Sequence, residues 1–275
     1  VTARTWTTVR VTGFTDRDAV IAALFGAGAE GVQELADAVV THVADADASR
    51  ITREVREADA GAMVTFAPTP DVDWSSEWRS RISAHRVGRL VVTPPWLADN
   101  YAETERIVIE PQMAFGTGEH ETTRGVLRLL GGLIRPGDIV ADLGAGSAVL
   151  SIAAAKLGAS RVVAVELDPE AIGNAEANVR RNLVGDRVKV IEGDASMILP
   201  LIAPARVVLA NIIWPVLERM LPVIASALTA DGVAVLSGLL AEERPSIEAS
   251  LAREGWRITA VDEEGIWWSA SIVRF

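Results

Sequence analysis

Two Gly-x-Gly turns, Gly116-Thr117-Gly118 and Gly144-Ala145-Gly146, stand 26 residues apart in the chain. Asp142 precedes the second turn at the end of the apolar run DIVADL, and Glu166 ends the next apolar run, RVVAVEL, 20 residues after Gly146. Gly144 allows a tight turn and Gly146 removes a side chain where a ligand would touch. A carboxylate at Glu166 can accept from both hydroxyls of a ribose, so the spacing fits a nucleoside-bearing cofactor. The dinucleotide fingerprint Gly-x-Gly-x-x-Gly is not met, because Val149 occupies the third glycine position. A pyrophosphate also needs an open helix N-terminus. S-adenosylmethionine carries no phosphate, and its ammonium could pair with Asp142 directly or through water. Asp194 in EGDA, after a third strand, is placed either for the exocyclic amine of adenine or as the N-cap of a helix. These residues favour S-adenosylmethionine over NAD as the cofactor.

The stretch MAFGTGEHETTRGVL (113–127) reads as a glycine turn followed by a helix over 119–130. Thr122 and Thr123 lie in its first turn, where hydroxyls and free backbone N–H groups favour an anion such as the cofactor carboxylate. Gly116 and Gly118 would let the turn close as a lid. Glu119 is explained by helix-end electrostatics, whereas His120 either relays a proton or pins the loop. Asn211 ends an apolar strand between Ala210 and Ile212. An amide there is costly unless hydrogen-bonded, so it either positions a methyl acceptor or caps the helix after Pro215. Methyl transfer from a sulfonium is an in-line displacement that needs alignment and a free lone pair more than a dedicated base. Asn211 and His120 are thus the expected catalytic pair.

These residues need a scaffold. From Pro136 the chain alternates strand, glycine turn and helix: DIVADL, SAVLSIAAAKLG, RVVAVEL, PEAIGNAEANVRRN, RVKVIEG, ARVVLANI, PVLERMLPVIASAL, GVAVLSG and EERPSIEASLAREG. That rhythm predicts a mostly parallel sheet covered on both faces, closed by an antiparallel pair from WRITAVDEE and WWSASIVRF. Ligands of such sheets lie beyond the strands' carboxyl ends, which is where Asp142, Glu166, Asp194 and Asn211 fall. The first 67 residues read as a separate module of βαββαβ order. Pro68 and Pro70 mark a boundary, and Trp74, Trp78 and Ile82 share a helical face suited to interdomain packing. GRLVVTPPW and 106–110 read as further strands.

Residues 108–127 and 139–178, with VVLANII (207–213) and LSGLLAEE (236–243), resemble the bacterial PrmA family. That family methylates protein eleven of the large ribosomal subunit with S-adenosylmethionine. The pairing of EPxMAFGTGxHxTT with DLGxGS is far more specific than either half. The resemblance implies an α/β fold: a seven-stranded Rossmann-like S-adenosylmethionine-dependent methyltransferase domain with a small N-terminal α+β domain. The implied parts are a substrate-recognition domain (1–67), a linker with a helix (68–105) and the methyltransferase domain (106–275). It assigns the 115–118 turn, with Phe115, Thr117 and Gly118, to the methionine end of the cofactor. Asp142, Gly144 and Gly146 form the first cofactor loop, Glu166 takes the ribose, and Asn211 edges the methyl-transfer site. Departures are Ala148 for a second glycine, Glu166 for the commoner Asp, and Trp214 after NII, which would enlarge or stack against the acceptor side. A related methyltransferase of another protein side chain or a small amine is the alternative. The IIW after Asn211 is unlike the PPY of glutamine and adenine N-methyltransferases.

Composition narrows the rest. The 275 residues contain no cysteine and three histidines, His42, His85 and His120, which excludes thiolate chemistry and argues against a metal. A net charge of −11 opposes direct nucleic-acid reading and is compatible with a basic protein partner. The opening VTARTWTTVRV lacks the apolar core of a signal peptide, and apolar runs break well short of the ~20 residues of a membrane span. A soluble cytoplasmic monomer acting on a large-subunit ribosomal protein is the expectation.

Overall fold

The computed structural model of the chain describes residues 6–29, 31–44, 47–68, 82–111 and 118–275. Two compact units divide it, Val1–Arg81 and Ile82–Phe275. The expected helix through Trp74 and Trp78 lies outside the described residues.

In the first unit, β1 (Trp6–Thr12), α1 (Arg17–Gly26), β2 (Val32–Glu34), β3 (Ala38–Ala44), α2 (Ala48–Ala58) and β4 (Met63–Pro68) follow one another. The four strands form an antiparallel sheet in the order β2-β3-β1-β4. Alternation puts Val9, Val11, Val39 and Val43 in one core with Val20 and Leu24 of α1 and Ile51 and Val55 of α2. Asp16 and Asp47 cap the two helices by accepting from backbone N–H groups of their first turns.

The second unit opens with β5 (His85–Val87), β6 (Leu90–Thr93) and β7 (Arg106–Val108), a three-stranded sheet. Residues 85–100, within the stretch read from sequence as linker, therefore carry strands and a short 3-10 helix of this unit. After α3 (Glu121–Leu130) come β8 (Ile139–Leu143), α4 (Val149–Leu157), β9 (Arg161–Glu166), α5 (Pro169–Arg181), β10 (Val188–Glu192), α6 (Ala195–Ile202) and β11 (Ala205–Asn211). The chain ends with α7 (Trp214–Ala227), β12 (Leu228–Leu240), α8 (Arg244–Arg253), β13 (Trp256–Glu264) and β14 (Trp267–Arg274).

Seven of these strands form one sheet, β10-β9-β8-β11-β12-β14-β13, in which β14 runs antiparallel to both neighbours. Because side chains alternate, Val140, Val162, Val207 and Leu209 face α3, α4 and α5, while Ala141, Leu143, Val163, Val165 and Val208 face α6, α7 and α8. Both faces are covered, which accounts for the nearly continuous apolar runs seen in the sequence. Strand order reverses between β8 and β11, opening a crevice beyond their carboxyl ends.

At the opposite end of those strands, Arg206 and Asp138 form a buried bidentate pair, with Nε and Nη2 donating to the two carboxylate oxygens at 2.5 and 2.7 Å. The Arg135 backbone N–H also donates to Asp138, at 2.7 Å. The pair staples the start of β11 to the turn before β8. Replacing Arg206 with Met would leave a buried carboxylate short of its cation, so unfolding free energy should fall by about 3–5 kcal/mol in urea titrations. A loss below ~1 kcal/mol would show that the pair is dispensable.

Candidate active site

A cavity of about 430 Å³ occupies the crevice, lined among others by Gly144, Gly146, Glu166, Asn211, His120 and Thr122. Its size lies within the usual 300–1,000 Å³ of small-molecule sites. The β8–α4 glycine turn and the start of α3 are thereby two walls of one site.

The first wall is the β8–α4 turn. Gly144 and Gly146 have φ of +68° and +51°. A Cβ at Gly144 would also come within 3.1 Å of Ile212. Glu166 holds this turn: Oε2 accepts from the Gly146 N–H at 2.7 Å, and Oε1 accepts from the Leu167 and Asp168 N–H groups at 2.8 and 3.0 Å. Each carboxylate oxygen has two lone pairs, so Oε2 retains capacity for a ligand hydroxyl. Ala148 takes the left-handed conformation, φ +64°, at the N-terminus of α4. Its departure from glycine therefore strains the backbone by roughly 1 kcal/mol, besides adding a methyl.

Asp142 lies beneath this turn, 1% exposed, and accepts from Ser151 Oγ at 2.6 Å. Burial pushes its carboxyl up to about 6; the Ser151 hydrogen bonds oppose that shift and the nearby Glu166 charge adds to it. Asp142 is not among the residues lining the cavity. Asp194 also stands off the lining. It is exposed, and its Oδ1 caps α6 by accepting from the Ser196 N–H and Oγ at 2.8 and 2.7 Å, the capping role left open from sequence. The Ser196 hydrogen bonds hold its carboxyl below the usual range. Gly193 N–H donates to the Glu166 carbonyl at 2.8 Å, so Asp194 begins beside the end of β9.

The second wall is the start of α3. Its N-cap is His120, whose Nδ1 accepts from the Thr122 N–H at 3.3 Å and lies 2.8 Å from Thr122 Oγ1. Asn211 Nδ2 donates to the same Oγ1 at 3.1 Å. With Asn211 as donor, the Thr122 hydroxyl turns its proton toward His120, which fixes Nδ1 as an acceptor and places the ring proton on Nε2. The Asn211 carboxamide is thereby oriented, its oxygen being the end left to accept from a ligand. Thr123 Oγ1 is buried with no hydrogen-bond partner among the described residues. Since Thr123 also lines the cavity at a helix N-terminus, it offers a donor to an anionic group.

α3 is pressed onto the C-terminal strands. Ser237 Oγ donates to the Thr122 carbonyl at 3.1 Å and shares a 2.7 Å hydrogen bond with Ser269; a Cβ at Gly125 would meet Ser269 Oγ at 2.5 Å. Arg124 and Arg128 bind Glu264, and Arg128 grips Asp262 through two bonds of 2.6 and 2.5 Å. The Arg124 guanidinium, aided by Arg128, holds the Glu264 carboxyl down at about 2.

Several lining residues escaped the sequence reading. Trp267 packs edge-on against His120, with centroids 5.3 Å apart. Ile212, Ile213 and Gly238 complete the apolar side, and a Cβ at Gly238 would strike the Ile212 carbonyl oxygen at 2.9 Å. Trp214, expected on the acceptor side, instead packs against the core beneath α7 and does not line the cavity. Gly118, expected to touch the cofactor, does not line it either. A Cβ there would lie 2.5 Å from Val92 Cγ1, so close packing on β6 and φ of +89° already require glycine. Phe115 and Thr117 lie outside the described residues.

The Asp142 environment gives a pH signature. A folded-state value near 6 against 3.8 unfolded means the buried charge costs about 3 kcal/mol above pH 6, a cost relieved as pH falls from 6 toward 4. Wild-type melting temperature minus that of Asp142→Asn should therefore be more positive at pH 5 than at pH 7.5 without ligand. A difference independent of pH would contradict the buried-charge assignment.

The chain matches the family described as Ribosomal protein L11 methyltransferase (PrmA) over residues 9–274. A ribosomal protein L11 methyltransferase of Pelotomaculum thermopropionicum is 42% identical over 207 residues, covering 74% of this chain and 66% of the relative. The Thermus thermophilus relative of that description is 40% identical over 197 residues, covering 72% and 76%. Among solved structures, a ribosomal protein L11 methylase from Lactobacillus delbrueckii subsp. bulgaricus superposes with a TM-score of 0.61 at 30% identity, covering 70% of this chain and 99% of its own. The chain belongs to the ribosomal protein L11 methyltransferase (PrmA) family of S-adenosylmethionine-dependent enzymes.

Proposed function

We propose that this protein transfers methyl groups from S-adenosylmethionine to lysine amines of large-subunit ribosomal protein L11. The observation that carries this reading is one cavity in which the Glu166 carboxylate, the start of α3 and the Asn211 amide converge. Glu166 accepts from the ribose hydroxyls, and Gly144 and Gly146 let the cofactor approach the backbone. Thr123 Oγ1, Thr122 and the first N–H groups of α3 take the carboxylate, and the family resemblance adds Phe115, Thr117 and Gly118 to the methionine end. Asp142 acts from beneath through its charge, and Asp194 stands toward the adenine. The bound cofactor supplies the electrophilic methyl.

The remaining task falls to the acceptor wall. A free lysine amine holds its proton to a pKa of ~10.4 and must lose it before it can react. Ile212, Ile213 and Trp267 form an apolar surround that disfavours the ammonium. The Asn211 Oδ1 accepts one N–H of the neutral amine and aims its lone pair, while Thr122 and His120 keep the carboxamide from turning. The proton is released to water and no dedicated base is required.

The N-terminal βαββαβ module recognises the protein substrate, and the unit from Ile82 to Phe275 carries out the transfer. None of the described helices is long and apolar enough to cross a membrane. The net charge of −11 opposes direct reading of nucleic acid, and a cytoplasmic monomer completes the proposal.

Purified protein incubated with methyl-labelled S-adenosylmethionine and large-subunit proteins should label L11, at lysines on mapping. Asn211→Ala should reduce kcat about 100-fold through lost alignment, with KM for the cofactor changed less. Label appearing only in a free amine would overturn the protein-substrate assignment.

A further inference from the structure

α5 carries asparagines at 174 and 178 and is followed by Asn182 at its C-cap, spaced i, i+4 and i+8, and all three are buried. Asparagine is a poor helix interior residue, so the two inside the helix call for a tertiary explanation. Asn182 has a tertiary role of its own. Its Oδ1 accepts from the Val108 N–H at 2.8 Å and its Nδ2 donates to the Val108 carbonyl at 2.7 Å, satisfying the edge of β7 as a neighbouring strand would.

Asn178 does something different. Its Oδ1 accepts from the Glu110 N–H at 3.1 Å and from Arg181 Nη1 at 3.0 Å, while its Nδ2 donates to the Ser147 carbonyl at 3.1 Å and to Asn174 Oδ1 at 3.3 Å. All four bonding positions of the carboxamide are filled, which leaves it one orientation. Ser147 follows Gly146 in the glycine turn that lines the cavity, and Glu110 lies two residues beyond the end of β7. Arg181 also pairs with Glu110 at 3.1 Å, reinforcing the same arm.

We propose that Asn178 is a positioning residue of the cofactor site: one buried carboxamide ties the turn after Gly146 to the segment that leaves β7 at Glu110. The inference rests on the cofactor reading given above. Asn182 holds the β7 edge and donates from Nδ2 to the Asn178 backbone carbonyl at 2.9 Å, with no hydrogen bond to the glycine turn among the described residues, and serves as the control.

The test measures S-adenosylmethionine binding by calorimetry and steady-state kinetics for wild type, Asn178→Ala, Asn178→Asp and Asn182→Ala, with folding checked by circular dichroism. Asn178→Asp matters because it keeps the acceptor for Glu110 and Arg181 while turning the donor toward Ser147 into an acceptor. Both Asn178 variants should bind the cofactor about tenfold more weakly and raise its KM, with KM for the protein substrate unchanged. Asn182→Ala should lose melting temperature to a similar degree yet bind the cofactor within about twofold of wild type. Wild-type affinity in a folded Asn178→Asp or Asn178→Ala overturns the proposal, as does an equal affinity loss in Asn182→Ala. If Asn178→Ala does not fold, Asn178→Asp decides. Failure of the wild type itself to bind would instead remove the cofactor reading beneath it.

Discussion

The site depends on a single carboxylate shared among three backbone donors. Glu166 accepts from Gly146, Leu167 and Asp168, and so joins the turn after β8, the end of β9 and the start of α5 in one bond set. Parallel strands deliver their carboxyl ends to a common edge but leave the turns beyond that edge free to diverge. Here the β8 turn is pinned to its neighbour by a charged acceptor, the stronger class of hydrogen bond. A longer glutamate arm in place of aspartate fits this use, since it must reach across to Gly146 while also receiving its own following N–H groups.

With that edge fixed, the opposite wall is built by different means. α3 is held from the side by hydroxyls of Ser237 and Ser269 and at its exposed face by Arg124 and Arg128 on Asp262 and Glu264. The resulting chain Asn211–Thr122–His120–Trp267 crosses from the end of β11 to the start of β14. Its polar part orients an amide and its aromatic part dries the surroundings. Methyl transfer to an amine needs both properties: an acceptor for one N–H and an environment hostile to the ammonium.

What was legible in the sequence was whatever has a local signature. The alternation of apolar runs with glycine turns follows from a sheet buried on both faces, and Asp142, Glu166 and Asn211 each end such a run. The small module declared itself by its own strand and helix periods. Trp267 could not be found that way, because antiparallel insertion of β14 beside β12 brings it to the cavity and no local pattern encodes that pairing. Gly118 and Trp214 are ambiguous in sequence for a related reason: glycine is required equally by a ligand or by Val92, and a tryptophan after the strand end is equally suited to a cleft or to a core. Within 85–100, GRLVVTPPW read as a strand and holds β6, whereas β5 is only three residues long and left no pattern of its own.

The fastening of α3 has a consequence for how the protein is made. Arg124 and Glu264 are 140 positions apart, so α3 leaves the ribosome long before the hairpin that seats it. During that interval β8, β9 and β10 can already pair and Glu166 can already gather its donors. The nucleoside-facing turn therefore assembles first, and the acceptor wall is finished only when β13 and β14 arrive. A nascent chain of this protein would pass through a stage with half a site, able to engage the nucleoside end of its cofactor but with Asn211 not yet aimed at anything.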